Sequence, residues 1–254
     1  MSDIWREEPD IEGCPLTETH DKCEESHYYL ERCLLEYHRP RPFRWSLNAF
    51  LQSLRSVTFY LQNEMADVPG FSGFYEGERA TMRDDGLLKS IADQRTIVVH
   101  ENTLVIESTV EAGLFRGREL KMAVRSDQLG AGESSAQILR RVVPIVVGHW
   151  VTEDHAAIDE QVGIRRTWVV KEIGDGDVIA HCDAAWSRTE AVTSRAHRLV
   201  GRSSAVPPEG GHLGTGYNVL LESDLDPGLP KQWGWEDEEW AFDVRSGRSF
   251  RRTA

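Results

Sequence analysis

Long apolar runs are missing from this chain of 254 residues, and none of its hydrophobic stretches reaches the length of a membrane span. The first residues, "MSDIWREEPDIEG", are acidic and lack a basic-then-apolar leader, so no export signal is expected and the reading is cytoplasmic. Cysteine is scarce. Cys14, Cys23, Cys33 and Cys182 form no C-x-x-C pair, which excludes a paired zinc knuckle and a dense disulfide framework. They read as reduced, mostly buried thiols. Positive charge is also short: the formal net charge is −13. A broad basic face for nucleic acid is thereby excluded, and contact with RNA or DNA has to come from a local basic pocket. Several catalytic signatures are absent as well. His149 and His155, with Glu153 and Asp154 between them, do not form H-E-x-x-H, and no serine nucleophile elbow occurs. "GHLGTG" at 211–216 has no strand before it or helix after it, which argues against a phosphate-cradling loop.

What is present is helical periodicity. After an acidic lead-in over residues 1–15, "LTETHDKCEESHYYLERCLLEYH" predicts a helix from Leu16 to His38. Tyr29, Cys33 and Tyr37 recur at i, i+4 and i+8, with Thr17 or Thr19 as its cap. "RPRP" at 39–42 stops it. The next segment carries the strongest signal. Phe43, Leu47, Phe50, Leu51, Leu54, Val57, Thr58 and Leu61 form a near-continuous stripe at 3-and-4 spacing, so a long amphipathic helix is expected. "DVPGFSG" at 67–73 ends it. A third helix is expected from Glu78 through Val99, with Gly86 as a local weakness. "TLVIESTVEAGLF" and "RRTWVV" read as strands, and Pro144 is expected to break any regular element in "LRRVVPIVVGHWV". A last long helix starts after Asp177, its cap, and stops at Gly201. Beyond lies a loop-rich acidic tail, 201–254, which can pack back through Trp233, Trp235 and Trp240 or serve as an interaction segment.

These elements predict a mainly α fold: an up-and-down four-helix bundle over 16–200, with a β-containing insertion at about 103–170 between the third and fourth helices. A mixed α+β domain is the alternative.

At the end of the expected third helix, "DQRTIVVHEN" sets Arg95 and His100 in an apolar stretch. Arg95-Thr96-Ile97-Val98-Val99-His100, followed by Glu101, resembles the motif of the HEPN superfamily of ribonucleases and nucleic-acid-associated modules. The likeness covers roughly residues 16–102, with threonine where the family often has asparagine. It implies a metal-independent endoribonuclease, a toxin or defence effector acting as a homodimer on RNA, with a protein antitoxin as a further partner and no cofactor. On that reading His100 moves the proton and Arg95 holds the phosphate. Thr96 and Glu101 orient the imidazole or an attacking hydroxyl, and Arg55 adds charge to the cleft. On an ideal helix, residues five apart are separated by about 140° and 7.5 Å of rise, so the pair converges only through the reach of arginine or across a two-fold axis. The alternative is a non-catalytic helical scaffold for dimerisation or protein binding. Arg32 and His38 form a similar pair at the end of the first helix. Cys23 and His27, at i and i+4, with Cys14, His20, Cys33 and His38 nearby, leave a zinc site open beside simple core packing.

Overall fold

Proline opens the longest helix. The computed structural model describes residues 14–100, 104–129, 132–150, 160–202, 213–214, 216–225, 240–243 and 248–251. Helix α1 (Thr17–Leu35) ends in a short turn, and α2 (Pro40–Glu64) begins on Pro40, whose fixed φ and missing N–H suit a first helical turn. The predicted stripe of α2 is the face that is buried: Phe43, Leu47, Phe50, Leu51, Leu54, Val57, Thr58 and Leu61. It packs along α1 as an antiparallel helical hairpin.

The start of α1 has no cap from its own sequence, because Leu16 stands there. Glu64 supplies one from the far end of α2. Its carboxylate accepts hydrogen bonds from the backbone N–H of Glu18 (2.7 Å) and Thr19 (2.9 Å) and from the Thr19 hydroxyl (2.6 Å). The negative group also faces the positive end of the helix dipole. Glu64→Ala is therefore expected to cost about 1–2 kcal/mol, the upper part of the range for a lost cap. Urea unfolding checks this; a change below about 0.3 kcal/mol would mean that water replaces the carboxylate.

The single third helix expected from Glu78 through Val99 is instead two, α3 (Phe71–Asp84) and α4 (Gly86–His100). Asp85 divides them. It is extended, and its Oδ1 accepts from the N–H of Leu87 (2.9 Å) and Leu88 (3.1 Å), so it caps α4. Arg188 holds the same carboxylate from the other side.

Strands β1 (Glu107–Arg116), β2 (Glu119–Leu129), β3 (Glu160–Val169) and β4 (Val219–Leu221) form one antiparallel sheet in the order β2-β1-β3-β4. Gly113 lies opposite Gly163, where the strands crowd: a Cβ on Gly113 would sit 2.0 Å from the carbonyl oxygen of Met122. Helix α5 (Ser135–Trp150) covers one face, with Ile138, Leu139 and Val142 against Val110, Leu114, Val162 and Ile164. Pro144 was expected to break this segment, yet the helix runs through it. A proline inside a helix costs about 3 kcal/mol; the apolar face that α5 seats on the sheet opposes that cost.

Helix α6 (Val178–Ala196) starts as expected on Asp177, whose Oδ1 accepts from the Ile179 N–H at 2.9 Å. A 3₁₀ turn, His197–Val200, follows, and Gly201 ends it at φ 72°. In the tail, β5 (Trp240–Asp243) pairs with β6 (Arg248–Arg251); Trp233 and Trp235 lie outside the described residues. Among the described residues the fold is thus mainly helical, six α-helices with a small antiparallel sheet. No described helix is long and apolar enough to cross a membrane.

Helices and sheet meet at a buried polar hub. Trp168 on β3 stacks on Phe43 of α2 (4.8 Å) and donates its indole N–H to the Tyr37 carbonyl (2.8 Å). The Arg166 guanidinium lies over the Trp168 ring at 4.7 Å and donates to the Glu133 carbonyl (2.6 Å). Arg166 is fully buried, and burial pulls its pKa down to about 10. The Tyr37 hydroxyl donates to the Asp177 carboxylate, whose pKa burial raises. His38 belongs here too. Its ring nitrogens meet the Ser135 hydroxyl (2.9 Å) and the Tyr217 carbonyl (3.0 Å). Arg32 pairs instead with Glu36.

Candidate functional site

Helices α2, α3 and α4 enclose a cleft of about 480 Å³. Its floor is apolar: Leu51 and Leu54 from α2, Met82 from α3, Leu88 and Ile91 from α4. Its rim is cationic. Arg55 projects from α2, Arg79 and Arg83 stand one turn apart on α3, and Lys89 comes from α4, against a single carboxylate, Asp93. Two carboxylates near them in sequence are already engaged. Glu78 forms a two-pronged pair with Arg195 of α6 (2.7 Å each), and Asp85 pairs with Arg188. Among the described residues the side chains of Arg79, Arg83 and Lys89 therefore enter no ion pair, and Arg55 donates only to the Thr58 hydroxyl (2.6 Å). A chain of net charge −13 has gathered four cations around one hollow.

Of the residues singled out by sequence, Arg55 lies in this cleft and Arg95 does not line it. Arg95 is half-buried on α4, with its Nε enclosed and, among the described residues, without a hydrogen-bond partner. Thr96 is exposed, and its hydroxyl donates back to the Ala92 carbonyl (3.1 Å) rather than orienting a neighbour. His100 ends α4, but its side chain and the whole of Glu101 lie outside the described residues. Arg79 and Arg83 were not found by sequence. Their i, i+4 spacing puts them on one face of α3, but which neighbour that face meets is set by tertiary packing.

A second constellation lies at the far end of α1. Cys14 just precedes the helix, His20 sits in its first turns, and His197 opens the 3₁₀ turn after α6. The Cys14 Sγ is 3.5 Å from His20 Nε2 and 3.4 Å from His197 Nε2, and the two Nε2 atoms are 3.0 Å apart. His197 Nδ1 lies 3.0 Å from the Thr193 carbonyl, and only an N–H can face a carbonyl oxygen. The neutral ring therefore turns an unprotonated Nε2 toward the other two groups. Burial lowers the pKa of both imidazoles, and for His20 the neighbouring His197 adds to it. The other metal candidates do not converge. Cys23 faces Thr193, and burial pushes its pKa up to about 12. The His27 ring packs on Trp186 at 4.9 Å. All four cysteines are free and buried, as expected.

The family model described as bacteriophage lambda protein ea47 matches residues 7–214. It spans the whole segment, 16–102, on which the HEPN resemblance rested, and so corrects that resemblance. No curated protein and no solved structure matches the chain.

Proposed function

The chain belongs to the bacteriophage lambda protein ea47 family, and we propose that it binds a nucleoside phosphate, free or at the end of an RNA strand, in the cleft between α2, α3 and α4. One observation carries this: Arg79, Arg83 and Lys89, unpaired among the described residues, ring an apolar floor together with Arg55. Guanidinium forks match phosphate oxygens two at a time. The volume suits a nucleotide-sized body, since small-ligand sites run from about 300 to 1,000 Å³. Leu54, Met82, Leu88 and Ile91 offer a base the apolar surface it needs, and the acidic remainder of the surface disfavours non-specific strands.

The test compares a 5′-phosphorylated RNA oligomer, the same oligomer without its phosphate, and a free nucleoside triphosphate by calorimetry at two salt concentrations. Phosphorylated ligands are expected to bind, with affinity falling as salt rises. Arg79→Glu/Arg83→Glu is expected to weaken binding by about 10–100-fold, the size of one or two lost charge-assisted contacts. Equal binding with and without phosphate, or an unchanged double variant, rejects the reading.

Cleavage of that strand by Arg95 and His100 is a separate proposal, since Arg95 stands outside the cleft. It predicts that labelled RNA is cut without added metal by the wild type and left intact by His100→Ala. RNA that is bound and not cut leaves a binding protein; RNA that is neither bound nor cut favours the helical scaffold. The protein antitoxin partner belongs to the cleavage proposal and lapses with it, whereas a homodimer belongs to the scaffold reading as well.

A further inference from the structure

We infer that Cys14, His20 and His197 hold a zinc ion that ties the start of α1 to the end of α6. The donor atoms are one sulfur and two imidazole nitrogens, brought together from positions up to 183 residues apart in sequence. Zinc binds sulfur at about 2.3 Å and imidazole nitrogen at about 2.0–2.1 Å, so tetrahedral angles set nitrogen to nitrogen at about 3.3 Å and nitrogen to sulfur at about 3.6 Å. The observed 3.0, 3.4 and 3.5 Å fall within a few tenths of an ångström of that triangle.

The triangle also selects the geometry. An ion in its own plane at ordinary nitrogen distances would come within roughly 1.7 Å of the sulfur, far shorter than a metal–thiolate bond. The ion therefore stands above the plane, at the centre of a tetrahedron rather than in the flat trigonal arrangement of a copper electron-transfer site. Its fourth vertex is left for a water or another donor from solution. The half-exposed His20 ring gives an entry path.

The surroundings fit a held ligand set. The Thr193 carbonyl fixes the His197 ring by accepting its Nδ1–H (3.0 Å), the outer contact that metal-bound imidazoles usually make. Glu64, whose oxygens cap α1, also acts on His20 through its charge. Leu16, Leu61, Met65, Phe71 and Val192 form the apolar wall beneath. Binding releases the Cys14 proton, because the thiolate is the ligand.

Full-length protein from zinc-supplemented medium is expected to carry about one zinc per chain by inductively coupled plasma mass spectrometry. After chelation, zinc at about 100 times its Kd should raise Tm by roughly 5–10 °C for a chain of this length. Cobalt(II) in its place should give a thiolate-to-cobalt charge-transfer band and the intense d–d bands of a tetrahedral site. Cys14→Ser and His197→Ala should lose the metal and that band, whereas His181→Ala should keep both. If a ligand variant fails to fold, the cobalt titration of the wild type still decides. Wild type that takes up less than about a tenth of an equivalent of zinc, or shows neither Tm shift nor charge-transfer band, overturns the inference; one equivalent of copper in place of zinc overturns the choice of metal.

Discussion

Trp168→Ala is expected to remove about 3–5 kcal/mol of stability, the cost of deleting a fully buried aromatic ring. Three interactions raise the expectation above simple cavity formation. The indole stacks on Phe43 from α2, and its N–H is the donor to the Tyr37 carbonyl, which is left without that partner when the ring goes. The buried Arg166 guanidinium also loses the aromatic face over which it lies. A domain has only about 5–15 kcal/mol to lose, so the variant should be close to unfolded at 37 °C. Urea unfolding followed by far-ultraviolet circular dichroism measures the change. A loss under about 1.5 kcal/mol would show that sheet and helices do not depend on this ring for their attachment.

Acidification should do nearly as much harm. Burial, and then the Arg166 charge, depress the pKa of His38 from 6.5 to about 4. In the unfolded chain the same imidazole titrates near its ordinary value, so between about pH 6.5 and 4 the unfolded state binds the proton and the folded state does not. Stability is fully present above that window and falls as pH drops through it. At about 1.4 kcal/mol per pH unit the loss from His38 is about 3 kcal/mol. Asp177 and Glu222 work the other way: burial raises both, so each takes up a proton in the folded state first and offsets part of the effect at the acid end. Unfolding free energies measured from pH 7.5 to 4.5 test this, with His38→Gln as the comparison. Parallel curves for wild type and variant would remove His38 from the account.

Much of the helical part was legible. The stripe from Phe43 to Leu61 is long and regular, so no tertiary contact was needed to read α2. Asp177 and Gly201 bounded α6 because a side-chain cap and a left-handed glycine are local devices. Asp85, followed by Gly86 and Leu87, carried a similar signal for α4, outweighed by the apparent continuity of the apolar positions around it. Pro144 misled for the opposite reason: its local cost is real, but the face that α5 presents to β1 and β3 decides the outcome. The site residues show the same division. Arg55 was expected beside Arg95, yet the hollow it lines does not include Arg95. His197 could not be joined to Cys14 and His20, because no spacing rule reaches from the first helix to the last. Nothing in the sequence said that α3 and α4 would turn Arg79, Arg83 and Lys89 toward one hollow.

Strand β4 pairs Val219, Leu220 and Leu221 with Arg165, Ile164 and Gly163, and Asp224 just beyond it grips Arg118. During synthesis these residues leave the ribosome about fifty positions after the strand they cover. Until then β3 shows a row of unmated amides and carbonyls, the kind of template on which two nascent chains can zip together. A fragment stopped at residue 214, where the family match ends, would keep that bare margin permanently. Such a fragment should clump where the full chain stays dispersed.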